Sequence, residues 1–264
     1  MKNILVPIGS SEARANTLQY AIDFANAFGS TLHVMQAYTL IPRAGAISNV
    51  NQVMQRTSKE DLEALISKAD TKGVKVNIVT YKGDALDGIK DFEKEYGLDL
   101  IIIAPRSTDI REEVFLGNTT GSIVKQTDTP VLVIPDGTVF SPVKTILTAF
   151  KSGRIKKKSK LTFLKKLKAQ FDAEIKLLLV KTPGYDEDDL KIAPAMMDLS
   201  SHVTISENAT TYQGVLEHFQ TIKPDMLCVF RRKRGFFKKL WEKNVILKKE
   251  FHTTIPLLIL SGDL

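Results

Sequence analysis

Residues 99–104, DLIIIA, are the most telling stretch of the chain because they recur: residues 225–230 read DMLCVF, at an offset of 126. In each copy a proline 31 residues further on opens a second apolar run, PVLVI at 130–134 and PLLIL at 256–260. Val76 and His202 keep the same offset. Short continuous apolar runs read as strands buried on both faces. Two such pairs, each preceded by a helical pattern, predict two successive α/β units.

Working outward through the first copy, the period alternates between strand and helix. ILVPI at 4–8 is a short buried strand. Ser10 or Ser11 is placed to cap a helix whose apolar positions Leu18, Ala21, Ile22 and Ala25 recur with helical spacing before Gly29 ends it. TLHVMQAY at 31–38 is the second strand, a polar helix follows over 49–72, and VKVNIVTY at 74–81 is the third strand. Asp84 caps a helix marked by Leu86, Ile89 and Phe92 or Glu93 and stopped at Gly97. A fourth strand at 99–104, a loop, a helix over 118–128 and a fifth strand at 130–135 complete the unit. The second copy repeats the plan with KTILTAF, a basic helix, EIKLLLV, an acidic and Met-rich stretch, HVTIS, a helix around Val215 and Phe219, DMLCVF and PLLIL. Strand–helix alternation implies right-handed crossovers and an open, mainly parallel five-stranded sheet with helices on both faces. The domains are expected over 1–137 and 143–264, joined by the linker DGTVFSP at 136–142. Ligands of such sheets bind outside the carboxyl ends of the strands, which in the first copy are residues 7–11, 34–37 and 104–108.

Halves of about 130 residues are near the modal size of a domain and large enough to bury a core. The opening MKNILVPIG enters a strand without a cationic, cleavable leader. Since no apolar stretch approaches the roughly 20 residues that cross a bilayer, the expectation is a cytoplasmic protein with no membrane partner. The single cysteine, Cys228, reads as a small core residue. Net charge is +7 and uneven: residues 1–140 hold 14 Lys/Arg against 17 Asp/Glu, residues 141–264 hold 23 against 13. The excess concentrates in IKKKSKLTFLKKLK (155–168) and RRKRGFFKKLWEKN (231–244), which invite an anionic partner if they are more than solvated helix faces.

The residues ILVPIGSSE, GDALDGIKDFEKEYGLDLIIIA and FLGNTTGSIVKQTDTPVLVIP resemble the universal stress protein (UspA-like) family, and the second copy resembles it more loosely in the same order. The resemblance implies the tandem form, with two flavodoxin-like, adenine-nucleotide-alpha-hydrolase-like domains. It also implies a nucleotide site built, in the members that bind ATP, from the pattern G-x2-G-x9-G-[ST] after the fourth strand. Glycine there lets backbone N–H groups approach phosphate at a helix start. In this chain the first two glycine positions are Pro105 and Thr108, the spacing to Gly117 is eight residues instead of nine, and Asn118 stands where Ser or Thr is usual. Pro105 has no N–H to give. The aspartate that contacts the nucleoside in the family is Gly9 here. The site that the resemblance places in the first copy is therefore vestigial, comprising Gly9, Ser10, Val34, Pro105, Arg106, Gly117, Asn118, Thr119 and Thr120, with ATP or AMP bound weakly if at all.

The second copy carries Lys151 at the aspartate position and Lys243 at that of the surviving glycine. The phosphate loop is replaced by Arg231, Arg232, Lys233 and Arg234, an anion-binding candidate by charge alone. No catalytic constellation is evident: His33, His202, His218 and His252 lack metal-ligand spacing, and neither a G-x-S-x-G elbow nor a Walker loop occurs. The run Asp186, Glu187, Asp188, Asp189 reads as a helix cap or a partner of basic surface instead of a cation site. Trp241, beside Phe236 and Phe237, reads as packing within its own domain in preference to a stacking platform for nucleic acid.

The reading that follows is a non-enzymatic stress-response or regulatory protein without catalytic or metal sites. The resemblance further implies that the fifth strands, residues 131–134 and 257–260, pair within one chain as an internal pseudo-dimer, with a homodimer also open. Two alternatives stand beside it: a weak nucleotide switch or slow ATPase using the first domain, and an anion- or nucleic-acid-binding module using the basic second domain.

Overall fold

A computed structural model of the chain describes residues 1–9, 12–39, 50–105, 114–155, 157–200, 202–232, 246–247 and 252–262. The chain divides into two compact units, Met1–Phe140 and Ser141–Leu264.

In the first unit the elements run β1 (Asn3–Pro7), α1 (Arg14–Phe28), β2 (Thr31–Tyr38), α2 (Val50–Ile66), β3 (Val76–Lys82), α3 (Ala85–Tyr96), β4 (Leu100–Ile103), a short extended segment β5 (Val114–Leu116), α4 (Asn118–Gln126) and β6 (Val131–Val133). The five main strands are parallel, in the order β3-β2-β1-β4-β6. The winding reverses between β1 and β4, which opens a crevice at their carboxyl ends. Ile4, Leu5, Leu32, Leu100, Ile101 and Leu132 are wholly buried, as strands covered on both faces require.

Asp99 explains why its stretch recurs. Its Oδ2 accepts the backbone N–H groups of Lys2 at 2.7 Å and Asn3 at 3.2 Å, so the residue opening β4 also fixes the start of β1. The second copy repeats this, with Asp225 Oδ2 accepting from the N–H groups of Lys144 and Thr145, both at 2.8 Å. The prolines recur for a similar reason: the carbonyls of Pro130 and Pro256 accept from Ile101 N at 2.9 Å and Leu227 N at 3.0 Å.

Several boundaries differ from the sequence expectations. Helix α1 begins at Arg14 with Ala13 at its N-cap; Ser10 and Ser11, expected to cap it, lie outside the described residues. Gly29 closes the helix in the left-handed region at φ 59°. Helix α2 stops at Ile66, short of position 72, because the chain beyond is tied back to α1. Gln19 and Asp70 exchange two hydrogen bonds of 3.0 Å, Lys72 reaches Asp23 at 2.7 Å, and the turn at Lys72 and Gly73 has positive φ. Asp84 caps α3, with Oδ1 accepting from Leu86 N at 2.8 Å.

The second unit runs β7 (Thr145–Phe150), a 3-10 turn (Lys158–Leu161), α5 (Thr162–Phe171), β8 (Glu174–Lys181), a second 3-10 turn (Glu187–Leu190), α6 (Pro194–Met197), β9 (Val203–Glu207), α7 (Thr211–Ile222), β10 (Met226–Arg232), β11 (Ile246–Leu247) and β12 (Leu257–Gly262). Its main sheet is again parallel, in the order β12-β10-β7-β8-β9, the same arrangement as in the first unit. A row of paired residues crosses the first sheet through Leu100, Ile4, Leu32 and Val76. Its counterpart runs through Met226, Ile146 and Ile175, and two residues further along the second strands the Val34–Ile78 pair corresponds to Leu177–Val203, an offset of 125 between the third strands. His202 is therefore one residue past the structural counterpart of Val76: the offset of 126 holds for β4 and β10 but not for the third strands. Register is set by which backbone groups pair, and side-chain similarity does not determine it to one residue.

Candidate functional site

The carboxyl ends of β1, β2 and β4 and the starts of α1, α3 and α4 surround a cavity of about 280 Å³ in the first unit. Pro7, Ile8 and Gly9 line it from the end of β1, Met35 and Ala37 from β2, and Ile103 and Ala104 from the end of β4. Polar and apolar surface share its wall. The polar side chains are Arg14 and Thr17 on α1, Thr39, Asp84 at the cap of α3, and Thr119 and Thr120 in the first turn of α4.

Of the residues expected at a site here, Gly9, Thr119 and Thr120 line this cavity. Val34 is not among its lining residues. Side chains alternate along a strand, and on β2 the odd positions face α3: the His33 ring is 4.7 Å from Phe92, and Met35 Sδ is close to Gly88. Val34 therefore points to the opposite face, where it is wholly buried in the core. Pro105 and Gly117 meet each other: the Gly117 N–H donates to the Pro105 carbonyl at 3.2 Å. Asn118 is exposed at the first position of α4, and Thr120 Oγ1 donates to the Ala104 carbonyl at 3.1 Å. Ser10 and Arg106 lie outside the described residues.

Arg14 and Asp84 were not anticipated. Arg14 Nη1 is 2.7 Å from Asp61 Oδ2, an ion pair between α1 and α2 with both side chains about one-third exposed. Such a pair adds little stability but fixes where the guanidinium stands. The signal for Asp84 was present: it follows the carboxyl end of β3, and the strand-end rule needed only to be applied to that strand too.

In the second unit the place equivalent to the end of β1 is covered by its own chain. Gly153 N donates to the Asp189 carbonyl, and Ala193 N donates to the Gly153 carbonyl, both at 2.8 Å. The acidic run holds this strap. Asp186 caps the turn Glu187–Leu190, and Arg154 lies 3.4 Å from Asp186 and 3.3 Å from Asp188. Lys191, at 2.7 Å, and then Arg154 hold the Asp188 carboxyl below its ordinary range. Arg231 and Arg232 belong to β10 itself, not to a loop beyond it, because the strand continues through Arg232. Lys233, Arg234, Trp241 and Lys243 lie outside the described residues.

The remaining reactive groups have structural settings. His33 is 9% exposed, with Nδ1 accepting from Asn77 Nδ2 at 3.4 Å and Nε2 donating to Asn3 Oδ1 at 3.3 Å. Burial first, and Lys75 second, lower its pKa, so the ring is held neutral. Cys228 is wholly buried, and burial pushes its thiol well up. Among the described residues no three His, Cys, Asp or Glu side chains are grouped to hold a metal ion, and no helix is long and apolar enough to cross a membrane.

Two parallel open sheets of identical strand order, one with a crevice at its switch point, define a tandem flavodoxin-like α/β protein. The sequence model of the universal stress protein family matches residues 1–135, and the chain belongs to that family. A universal stress protein of Methanocaldococcus jannaschii is 22% identical over 138 residues, covering 50% of this chain and 81% of the relative. Among solved structures, a universal stress protein from Archaeoglobus fulgidus DSM 4304 aligns over 99% of this chain and 97% of its own, with TM-score 0.72 and 19% identity. A protein of unknown function from Pseudomonas aeruginosa PAO1 aligns over 99% and 92%, with TM-score 0.63 and 14% identity. These likenesses establish the fold of both halves.

Proposed function

We propose that this stress-response protein acts by binding instead of turnover, and that its first unit carries the family's nucleotide crevice in a form unsuited to a triphosphate. The observation that carries this reading is the Gly117 N–H donating to the Pro105 carbonyl. The glycine left from the expected pattern has its amide engaged within the chain, by a residue that itself has no N–H. Thr120 likewise spends its hydroxyl proton on Ala104. What remains is a cavity of mixed polar and apolar wall with Arg14 and Asp84 in its lining, suited to a small molecule that lacks a triphosphate.

Calorimetric titration of the full chain with ATP and AMP tests this. A missing charge-assisted hydrogen bond costs about 1.5–3 kcal/mol, or one to two decades of affinity, and Gly9, Pro105 and Thr108 depart from the pattern of the members that bind ATP. The expected result is no saturable binding in the micromolar range. Low-micromolar ATP binding, or ATP released into the supernatant when the purified protein is denatured, would refute the reading in favour of a nucleotide switch or slow ATPase.

Two finer points belong to the same proposal. The edge of each unit's own sheet, residues 131–134 and 257–260, is apolar, and pairing of these edges within the chain would protect both from aggregation. The expected location is the cytoplasm.

A further inference from the structure

The crevice of the first unit brings two opposite charges to one small cavity. Helix α1 is tied to α2 by the Arg14–Asp61 ion pair, and the Tyr38 hydroxyl, at an even position of β2, reaches Asn51 on α2. The odd positions of β2 face α3. Arg14 therefore enters the cavity lining from one side of the sheet and Asp84, at the cap of α3, from the other.

Each charge has a committed part and an open part. Arg14 spends Nη1 on Asp61 Oδ2 at 2.7 Å, which holds the guanidinium in place, while Nε and Nη2 make no hydrogen bond with any described residue. Those two nitrogens form one edge of the planar fork that matches a carboxylate. Asp84 spends Oδ1 on Leu86 N at 2.8 Å, and its Oδ2 is engaged by no described residue. Two further groups of the wall are acceptors. The Thr17 hydroxyl donates to the Ala13 carbonyl at 3.0 Å and the Thr120 hydroxyl to the Ala104 carbonyl at 3.1 Å, so each has only lone pairs left for an occupant. An ammonium, with three donors and no acceptor, complements Asp84 and these hydroxyls. Ile8, Met35, Ile103 and Ile123 supply apolar wall beside them. The volume of about 280 Å³ is at the small end of ligand sites, which span about 300–1,000 Å³. A molecule with one charge answers only one of the two side chains, and a small molecule with both answers each.

Resting on the reading of the crevice as a site for a small molecule without a triphosphate, we infer that its occupant is a small zwitterion of the amino-acid class. Its carboxylate meets Arg14, its ammonium meets Asp84, and its short carbon chain lies against the apolar wall.

The test is titration of the full chain with four six-carbon probes, norleucine, 6-aminohexanoate, hexanoate and hexylamine, followed by calorimetry and by the amide shifts of Gly9, Ala37 and Ala104. Norleucine carries both charges at one end, 6-aminohexanoate carries them at opposite ends, and the other two carry one charge each. Saturable binding of at least one zwitterion is expected, with shifts at these amides. Tighter binding of norleucine identifies an α-amino acid as the occupant, and tighter binding of 6-aminohexanoate identifies a molecule with its charges at opposite ends. Hexanoate and hexylamine should each bind about tenfold or more weakly than the better zwitterion, the scale of one charge-assisted contact. Arg14→Gln should weaken the zwitterion and hexanoate by a similar factor and leave hexylamine unchanged. Asp84→Asn, which keeps a good helix cap, should weaken the zwitterion and hexylamine and leave hexanoate unchanged. Asp87→Asn, the loss of an exposed carboxylate on α3 outside the cavity lining, should leave all four unchanged. Absence of saturable binding for both zwitterions up to about 20 mM, far above the millimolar range of a single weak site, would overturn the proposal. So would a single-charge probe that binds as tightly as the better zwitterion, or wild-type affinity in the folded Arg14 and Asp84 variants. A loss in Asp87→Asn as large as in Asp84→Asn would also overturn it, by assigning the effect to diffuse charge. ATP in the same series keeps two failures apart. With ATP and both zwitterions unbound, the zwitterion alone is refuted, whereas low-micromolar ATP binding strikes the reading of the crevice beneath it.

Discussion

Gly153→Ala probes the strap that covers the end of β7. A β-carbon at Gly153 would stand 2.5 Å from Ile192 Cα, 2.6 Å from the Lys191 carbonyl oxygen and 2.9 Å from Ile192 N. All three are backbone atoms, so no rotamer change makes room. Overpacking of this kind costs about 1–3 kcal/mol if the strap stays in place. The chain can instead lift the strap, giving up the hydrogen bonds Gly153–Asp189 and Ala193–Gly153 at a net cost of about 0.5–1.5 kcal/mol each. The exposed contacts of Arg154 to Asp186 and Asp188 add little to that second route. Either route loses about 1–3 kcal/mol, which for a unit of this size lowers Tm by roughly 3–10 °C. Scanning calorimetry of the full chain measures the loss. Hydrogen exchange at the Gly153 and Ala193 amides tells the routes apart, since both amides exchange faster only if the strap lifts. An unchanged Tm together with unchanged exchange would show that residues 186–193 do not pack on Gly153 as described.

Residues 1–137 produced alone should self-associate through the apolar edge at 131–134, as light scattering at increasing concentration would reveal; a fragment that stays monomeric and soluble argues against a need to cover that edge. The second expectation concerns pH. Burial lowers the pKa of His33 below its ordinary 6.5, so the unfolded chain takes up the proton first. The contribution of His33 to stability is thus full above pH 6.5 and is lost as pH falls through that value toward the lowered one. Urea midpoints measured across this window should decline toward acid, and His33→Gln should flatten that part of the slope. A slope unchanged in the variant places the titration elsewhere.

Much of each unit was readable in advance because its strands are buried on both faces. DLIIIA, PVLVI, DMLCVF and PLLIL are apolar throughout, so each is recognisable whatever its neighbours turn out to be. Asp84 and Gly29 were equally plain, since capping and left-handed geometry are decided within a few residues. The start of α1 and the end of α2 were not, because the Gln19–Asp70 and Lys72–Asp23 contacts that decide the latter join residues about 50 apart. At the crevice, the strand-end rule pointed to the end of β2, where Met35 and Ala37 line the cavity while the side chain of Val34 is buried on the opposite face. A step of one residue reverses which side of the sheet a side chain meets.

The sequence by itself determined that the chain is two copies of one α/β plan, that Pro105 and Thr108, not glycines, follow the fourth strand, and that positive charge gathers in the second copy. These are properties of residue type and spacing, complete before the chain folds. Only the tertiary structure decided what the altered residues do. It turned the Gly117 amide onto Pro105, laid the strap from Asp186 to Ala193 across Gly153, and gathered Lys160 and Arg231 on Ser261. Lys160 and Ser261 are 101 residues apart, and no local pattern carries information over that distance. They meet because parallel strand pairing sets Arg231 beside Ser261 in register, and the turn before α5 brings the lysine to the end of those strands.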